Sequence, residues 1–165
     1  MNEVNQRVDQ QRRWFVYEKD AVAKVVRSLE SVPADRRGTV DYKRAVSLLG
    51  HLAAGRRVWL FRFGMLPAAP TAFFPESPLE EIVADWRSVE ARWDEYYAKL
   101  DDGELDRVFE YQSMDAGRFR NRIEDILTQL FGHSWYHRGQ IAMLVRAAGG
   151  EPAITDFVYW CREPV

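Results

Sequence analysis

Along residues 82–100 the chain places a large apolar side chain at every third or fourth position: Ile82, Trp86, Val89, Trp93, Tyr96 and Leu100. That period puts all six on one face of an α-helix. A face so rich in aromatics is stable only against other helices of similar length, and the chain supplies them. A first helix is predicted over roughly Gln10 to Leu29, with Phe15, Val22, Val25, Val26 and Leu29 inward, and it stops at Val32-Pro33-Ala34-Asp35-Arg36-Arg37-Gly38. A second starts near Thr39 to Asp41 and carries Ala45, Leu48, Leu52, Gly55, Trp59 and Phe63 as its stripe until Gly64-Met65-Leu66-Pro67.

Ser77-Pro78-Leu79-Glu80 predicts the start of the aromatic helix, with Ser accepting from early amides and Pro at the first helical position. Asp101-Asp102-Gly103 ends it. The pattern then alternates through Val108-Phe109-Glu110-Tyr111-Gln112-Ser113, and again through Arg118-Phe119-Arg120, with the turn placed at Asp115-Ala116-Gly117. This is a short hairpin or an extended crossover. A capping box at Asn121-Arg122-Ile123-Glu124 opens the last long helix, which runs to Ala148 before Gly149-Gly150. Its inward stripe is Ile123, Ile126, Leu127, Leu130, His137, Ile141, Leu144 and Val145, with His133 alongside. The aromatic tail from Ile154 to Val165 is expected to pack rather than hang free. We therefore expect an all-α chain, an antiparallel four-helix bundle with one domain over residues 1–165.

Composition narrows the function classes. With 23 Lys and Arg against 25 Asp and Glu, the net charge of -2 offers no basic surface for a nucleic-acid backbone. The longest apolar runs fall short of the roughly 18 residues a membrane span needs, and no secretory leader pattern opens the chain. The expectation is a cytoplasmic protein with a small-molecule substrate and neither nucleic acid nor membrane as partner. Cys161 is the only cysteine, so packing and not an internal disulfide holds the fold.

All three histidines fall on two of these helices. His133 and His137 are one helical turn apart on the same face. His51 borders the apolar stripe of the second helix, with Gly55 leaving room one turn on. If the two helices adjoin, three neutral imidazoles can reach one divalent ion and leave coordination positions for water or substrate. Ordinary packed histidines are the alternative. A zinc-protease motif is rejected, because Ser134 stands where that motif needs Glu. Phe73-Phe74, inside the Pro67, Pro70, Pro75 connection, is costly to expose and is read as covering a pocket or another subunit. Glu124, Asp125 and Asp156 are candidate extra ligands or orienting partners. Gln140 is read as hydrogen-bonding between helices before orienting a ligand, Trp59, Trp135 and Tyr136 as packing before lining a pocket, and Cys161 as inert.

The run His133-Ser134-Trp135-Tyr136-His137-Arg138-Gly139-Gln140-Ile141 resembles the His-x-x-x-His-Arg-Gly-Gln-Ile signature of the DinB/YfiT-like superfamily. Tyr17 to Ala21, His51 with Trp59 and Arg62, Gly149-Gly150-Glu151-Pro152 and Asp156 extend the resemblance over nearly the whole chain. It implies a bundle in up-down-down-up order, often dimeric, with His51, His133 and His137 holding Zn²⁺ or Ni²⁺, or else Fe²⁺. Relatives include transferases that add bacillithiol or a related thiol to electrophiles, and a mycothiol-dependent isomerase. The resemblance therefore implies a thiol S-transferase that activates a low-molecular-weight thiol. A hydrolase that activates water, or a stress-related binding protein with a structural metal, are the other readings. Arg138 is a candidate for binding a carboxylate of the thiol or substrate, against an outward salt bridge. No Ser or Cys nucleophile stands out.

Overall fold

The computed structural model describes residues 6–113 and 117–165. It is mostly helical: α1 (Gln6–Glu30), α2 (Val40–Arg62), α3 (Leu79–Lys99), α4 (Asp102–Asp106), a hairpin of β1 (Val108–Gln112) and β2 (Arg118–Arg122), α5 (Ile123–Ala147) and α6 (Phe157–Cys161). The four long helices and the hairpin correspond to the expected elements. Helix α1 starts earlier than expected, because Val8 and Gln11 continue the buried series through Phe15, Glu18, Val22, Val25 and Leu29 at steps of three and four.

Helix α5 packs against both α1 and α2, and α2 also packs against α3. One half of the core gathers Val22, Leu29, Leu49, Leu52, Trp86, Ile141 and Val145. The other gathers Phe15, Leu60, Trp93, Tyr97, Leu105, Ile123, Leu127 and Phe131. On α3 the buried tyrosine is Tyr97, whereas Tyr96 is half-buried and its hydroxyl donates to Glu104.

Helix ends account for most departures from expectation. The Ser77 cap does not form: Pro78 is the extended residue flanking Leu79, which leaves Ser77 one position too far back to reach the first amides. The capping box at Asn121 is absent for a similar reason. Asn121 belongs to β2 and accepts from the Tyr111 hydroxyl at 2.9 Å, while the Ile123 amide is met by the Arg107 carbonyl at 3.0 Å. Asp101, expected only to end α3, caps α4 by accepting from the Glu104 amide at 2.7 Å. That extra turn drives Leu105 fully into the core. At their C-termini α2 and α5 both finish as expected on a left-handed glycine, Gly64 at φ 75° and Gly149 at φ 85°. Each is followed by the paired backwards amide bonds that close such an end: Gly64 to Phe61 with Met65 to Leu60, and Gly149 to Arg146 with Gly150 to Val145.

Strand β1 pairs antiparallel with β2 from Val108 opposite Arg122 to Gln112 opposite Arg118. The Ser113 amide donates to the Gly117 carbonyl at 2.7 Å; Asp115 and Ala116, the rest of the expected turn, lie outside the described residues. The Arg62 guanidinium sits between the Trp59 and Tyr111 rings, 4.6 Å from each centroid, and donates to the Gln112 carbonyl. This fastens the hairpin to the end of α2. The tail is strapped down, as expected: Ser28 and Ser31 bond the backbone of Glu151 and Ala153, the Tyr17 hydroxyl donates to the Thr155 carbonyl, and the Tyr17 ring meets Phe157 and Trp160 edge-on.

The connection between α2 and α3 lies on α2 because Gly50 has no side chain. A Cβ there would run into the Pro75 ring and come within 2.8 Å of Ile82 Cδ1. A proline ring cannot rotate away, so the connection would have to lift. Gly50→Ala is expected to destabilise the fold by about 1–3 kcal/mol, measured by denaturant unfolding, and to perturb the His51 ring signals in NMR spectra.

Candidate metal centre

The packing of α2 on α5 brings the three histidines together. His133 Nε2 lies 3.2 Å from His51 Nε2 and 3.0 Å from His137 Nε2. All three residues are partly buried, and their nitrogens lie within 4.8 Å of one another, close enough to hold a single metal ion. Ligand nitrogens about 2.0–2.1 Å from a metal stand roughly 3 Å apart at right angles and somewhat farther in a tetrahedron. The two short separations match that range. Gly55 leaves room as expected, though beside the His133 ring, where even a Cβ would sit 3.8 Å away in ordinary contact.

Two of the rings have their protons placed by neighbours. His51 Nδ1 is 2.9 Å from the Phe73 carbonyl, which can only accept, so the proton is on Nδ1 and the Nε2 lone pair is free. His137 Nδ1 meets the Gln140 Oε1 at 2.7 Å with the same result. Gln140 is thus an orienting partner on its own helix, the less favoured of its two expected roles, and not a bond between helices. His133 Nε2 faces both lone pairs, and a single proton there can satisfy only one of them. A cation shared among the three resolves the conflict.

Burial acts in the same direction. Desolvation, followed by repulsion from His137, His51 and Arg56, pushes His133 down to about 4. Desolvation first, then repulsion from His137, also lowers His51, against the opposing bond to Phe73. Both rings are kept neutral at pH 7, the form a metal needs. Because folding depresses His133, protonation favours the unfolded chain. Metal-free protein is expected to hold its stability above about pH 6.5 and to lose it progressively as pH falls toward about 4. Melting temperatures of chelator-treated protein across that range check this; a flat profile would contradict it.

One side of the site is covered. The Phe74 ring lies parallel to His51, 2° between planes and 4.1 Å between centroids, although Phe74 is 57% exposed. The Phe74 ring therefore covers His51 while staying exposed on its other side, contrary to the expected cost of exposing it, and Phe73 supplies a carbonyl that sequence reasoning did not foresee.

The acidic candidates are elsewhere. Glu124 accepts from Arg7 and Arg122 near the start of α5, Asp125 is exposed, and Asp156 lines a cleft with Tyr17, Trp135 and Phe157. None joins the histidine group among the described residues. Trp59 packs against Phe63 and Tyr111 as expected, whereas Trp135 and Tyr136 are exposed. Cys161 lies on α6, outside the group.

Arg138 points inward, and each of its terminal nitrogens already donates to a residue of α1. One residue past His137, about 100° around the helix, it is buried and donates to Glu18 at 2.7 Å and to the Tyr17 hydroxyl at 2.9 Å. Glu18 also pairs with buried Arg56 at 3.4 Å. Sequence reasoning missed Glu18 and Arg56, although both stand on inward stripes, at three after Phe15 and four after Leu52. A charge on an inward stripe is the signal that locates them.

No helix among the described residues is long and apolar enough to cross a membrane. Neither curated proteins nor solved structures yielded a match. The DinB family model, by contrast, matches residues 1–163, a span that holds all three histidines, the cover from Phe73 and Phe74 and the buried arginines, and on that match the chain belongs to the DinB family.

Proposed function

We propose that His51, His133 and His137 hold one divalent metal ion, Zn²⁺ or Ni²⁺ before Fe²⁺, and that the protein is a thiol S-transferase joining a low-molecular-weight thiol to a small electrophile. The observation that carries the metal reading is the meeting of three Nε2 atoms, two of them stripped of protons by Phe73 and Gln140. When bound, such an ion supplies Lewis acidity, lowering the pKa of a coordinated thiol or water and polarising a carbonyl. The chain's own residues do the rest. Phe73 and Gln140 fix two imidazoles in the ligating tautomer, and the Phe74 ring shields His51 from water on one face. Ser134 is buried on α5 and Cys161 sits on α6, which supports a nucleophile that arrives with the substrate instead of one supplied by the chain.

The contacts of α5 with α1 and α2, and of α2 with α3, support an antiparallel four-helix bundle in up-down-down-up order as the scaffold. The exposed Trp135, Tyr136 and Met143 on α5 support a homodimer. Light scattering is expected to give twice the chain mass, and Met143→Lys to halve it.

The test is metal content of untagged protein, followed by thiol consumption with haloaromatic and epoxide electrophiles, with and without chelator. Turnover that needs both metal and thiol supports the transferase. Ester or amide turnover without thiol assigns a hydrolase, and metal-dependent stability without any turnover assigns a binding protein.

A further inference from the structure

Among the described residues three charged side chains lie in the core with no hydrogen bond or ion pair to the histidines: Glu18, Arg56 and Arg138, at 1%, 2% and 3% exposure, although the charge of Arg56 reaches His133. They come from three different helices. Glu18 on α1 accepts from Arg138 Nη1 on α5 at 2.7 Å through one carboxylate oxygen, and the other lies 3.4 Å from Arg56 Nη2 on α2. Arg56 is held between the Trp86 and Phe131 rings, with centroids at 5.7 and 5.9 Å. Its Nε, Nη1 and Nη2 have no hydrogen-bond partner among the described residues. Among the described residues its ionic anchor is Glu18.

The histidines divide along the same helices. His51 is on α2, five positions before Arg56, while His133 and His137 are on α5, with Arg138 next to His137. Helix α1 contributes no histidine. A helix is stiff over so short a distance, so whatever holds Arg56 and Arg138 relative to each other also holds His51 relative to the other two rings. Apolar contacts tolerate small slides between helices, because burial is non-directional. A carboxylate between two guanidinium groups in a dry interior does not, because leaving either cation unpaired is costly. Resting on the metal reading above, we infer that Glu18 is a positioning residue: it sets the separation between His51 and the His133/His137 pair, and so the affinity and geometry of the metal site, without contacting it.

The experiment uses the full chain, with Co²⁺ and Zn²⁺ alone as probes. Dissociation constants come from chelator competition, site geometry from the visible absorption of the Co²⁺ form, and stability from thermal melting of the metal-free protein. Glu18→Gln keeps the side-chain shape and removes the charge; it is expected to weaken both metals about tenfold, the low end for loss of an orienting partner, and to shift the Co²⁺ bands. Leu105→Ala, a fully buried site on α4, is the control: it lowers the melting temperature but keeps the wild-type constants and spectrum. Arg56→Met removes the unpartnered donors, keeps the stem and lifts the Arg56 repulsion on His133, a charge change that by itself favours a bound cation. It is expected to melt within a few degrees of wild type yet bind Co²⁺ about tenfold more weakly, against the direction of the charge effect. That separation of affinity from stability carries the test if Glu18→Gln does not fold. Unchanged affinity and spectrum in Arg56→Met, or in folded Glu18→Gln, overturns the inference while leaving the metal reading intact. So does an equal weakening in Leu105→Ala. If wild-type protein takes up neither ion, both fall together.

Discussion

His133→Ala is expected to take metal content from about one ion per chain to near zero, measured by elemental analysis after exchange into metal-free buffer. The reason is position. His133 Nε2 is the nitrogen within 3.2 Å of both others, so its removal leaves two ligands with a gap between them. The loss in affinity should exceed the roughly 10–100-fold that follows removal of an outer partner. Gln140→Ala, which frees His137 to rotate or change tautomer but keeps every ligand, is expected to fall in that smaller range. The same His133 variant should also gain acid resistance in the metal-free state, because it removes the imidazole that folding holds at about 4. A variant that kept full metal content would show that the three rings are packing residues.

Arg138→Met is expected to cost about 3–5 kcal/mol of folding stability, the range for breaking a buried ion pair from one side. Both Nη bonds disappear, so the Tyr17 hydroxyl loses a donor and Glu18 keeps only the 3.4 Å contact to Arg56. For a chain of this length that lowers the melting temperature by about 6–20 °C. Arg138→Lys retains the charge but not the planar fork that reaches Glu18 and Tyr17 together, and should fall between the two. Differential scanning calorimetry of the metal-free forms measures both. A loss below about 1 kcal/mol would place Arg138 among exposed pairs, which are worth little.

The two experiments separate parts of the molecule that differ in how visible they were beforehand. Helix existence and type were legible, because a stripe such as Ile82, Trp86, Val89 and Trp93 has only one regular conformation that buries it. The hairpin was legible from its alternation. Helix starts were legible in place, and at α2 Thr39 caps Val40 by accepting from the Tyr42 amide, but the caps expected for α3 and α5 were not. Ser77 and Asn121 carry the right chemistry for caps, but capping depends on a backbone offset of one residue, and Pro78 and the β2 pairing decided that offset. The short α4 was hidden by Asp101, which reads equally well as the end of one helix and the cap of the next.

The candidate site follows the same division. The spacing of His133 and His137 put them on one helix face by geometry that no tertiary context alters, and the count of histidines left only His51 to complete the set. Orientation was another matter. Which nitrogen of each ring is free depends on Phe73, twenty-two positions from His51, and on a side-chain torsion of Gln140. Arg138 showed the limit most clearly, since its neighbour His137 suggested a ligand and its partners lie on α1, more than a hundred residues away. Local periodicity determines which residues share a face of one helix. Which faces meet, and which buried charges then find each other, is decided only when helices distant in the chain pack into one low-dielectric interior.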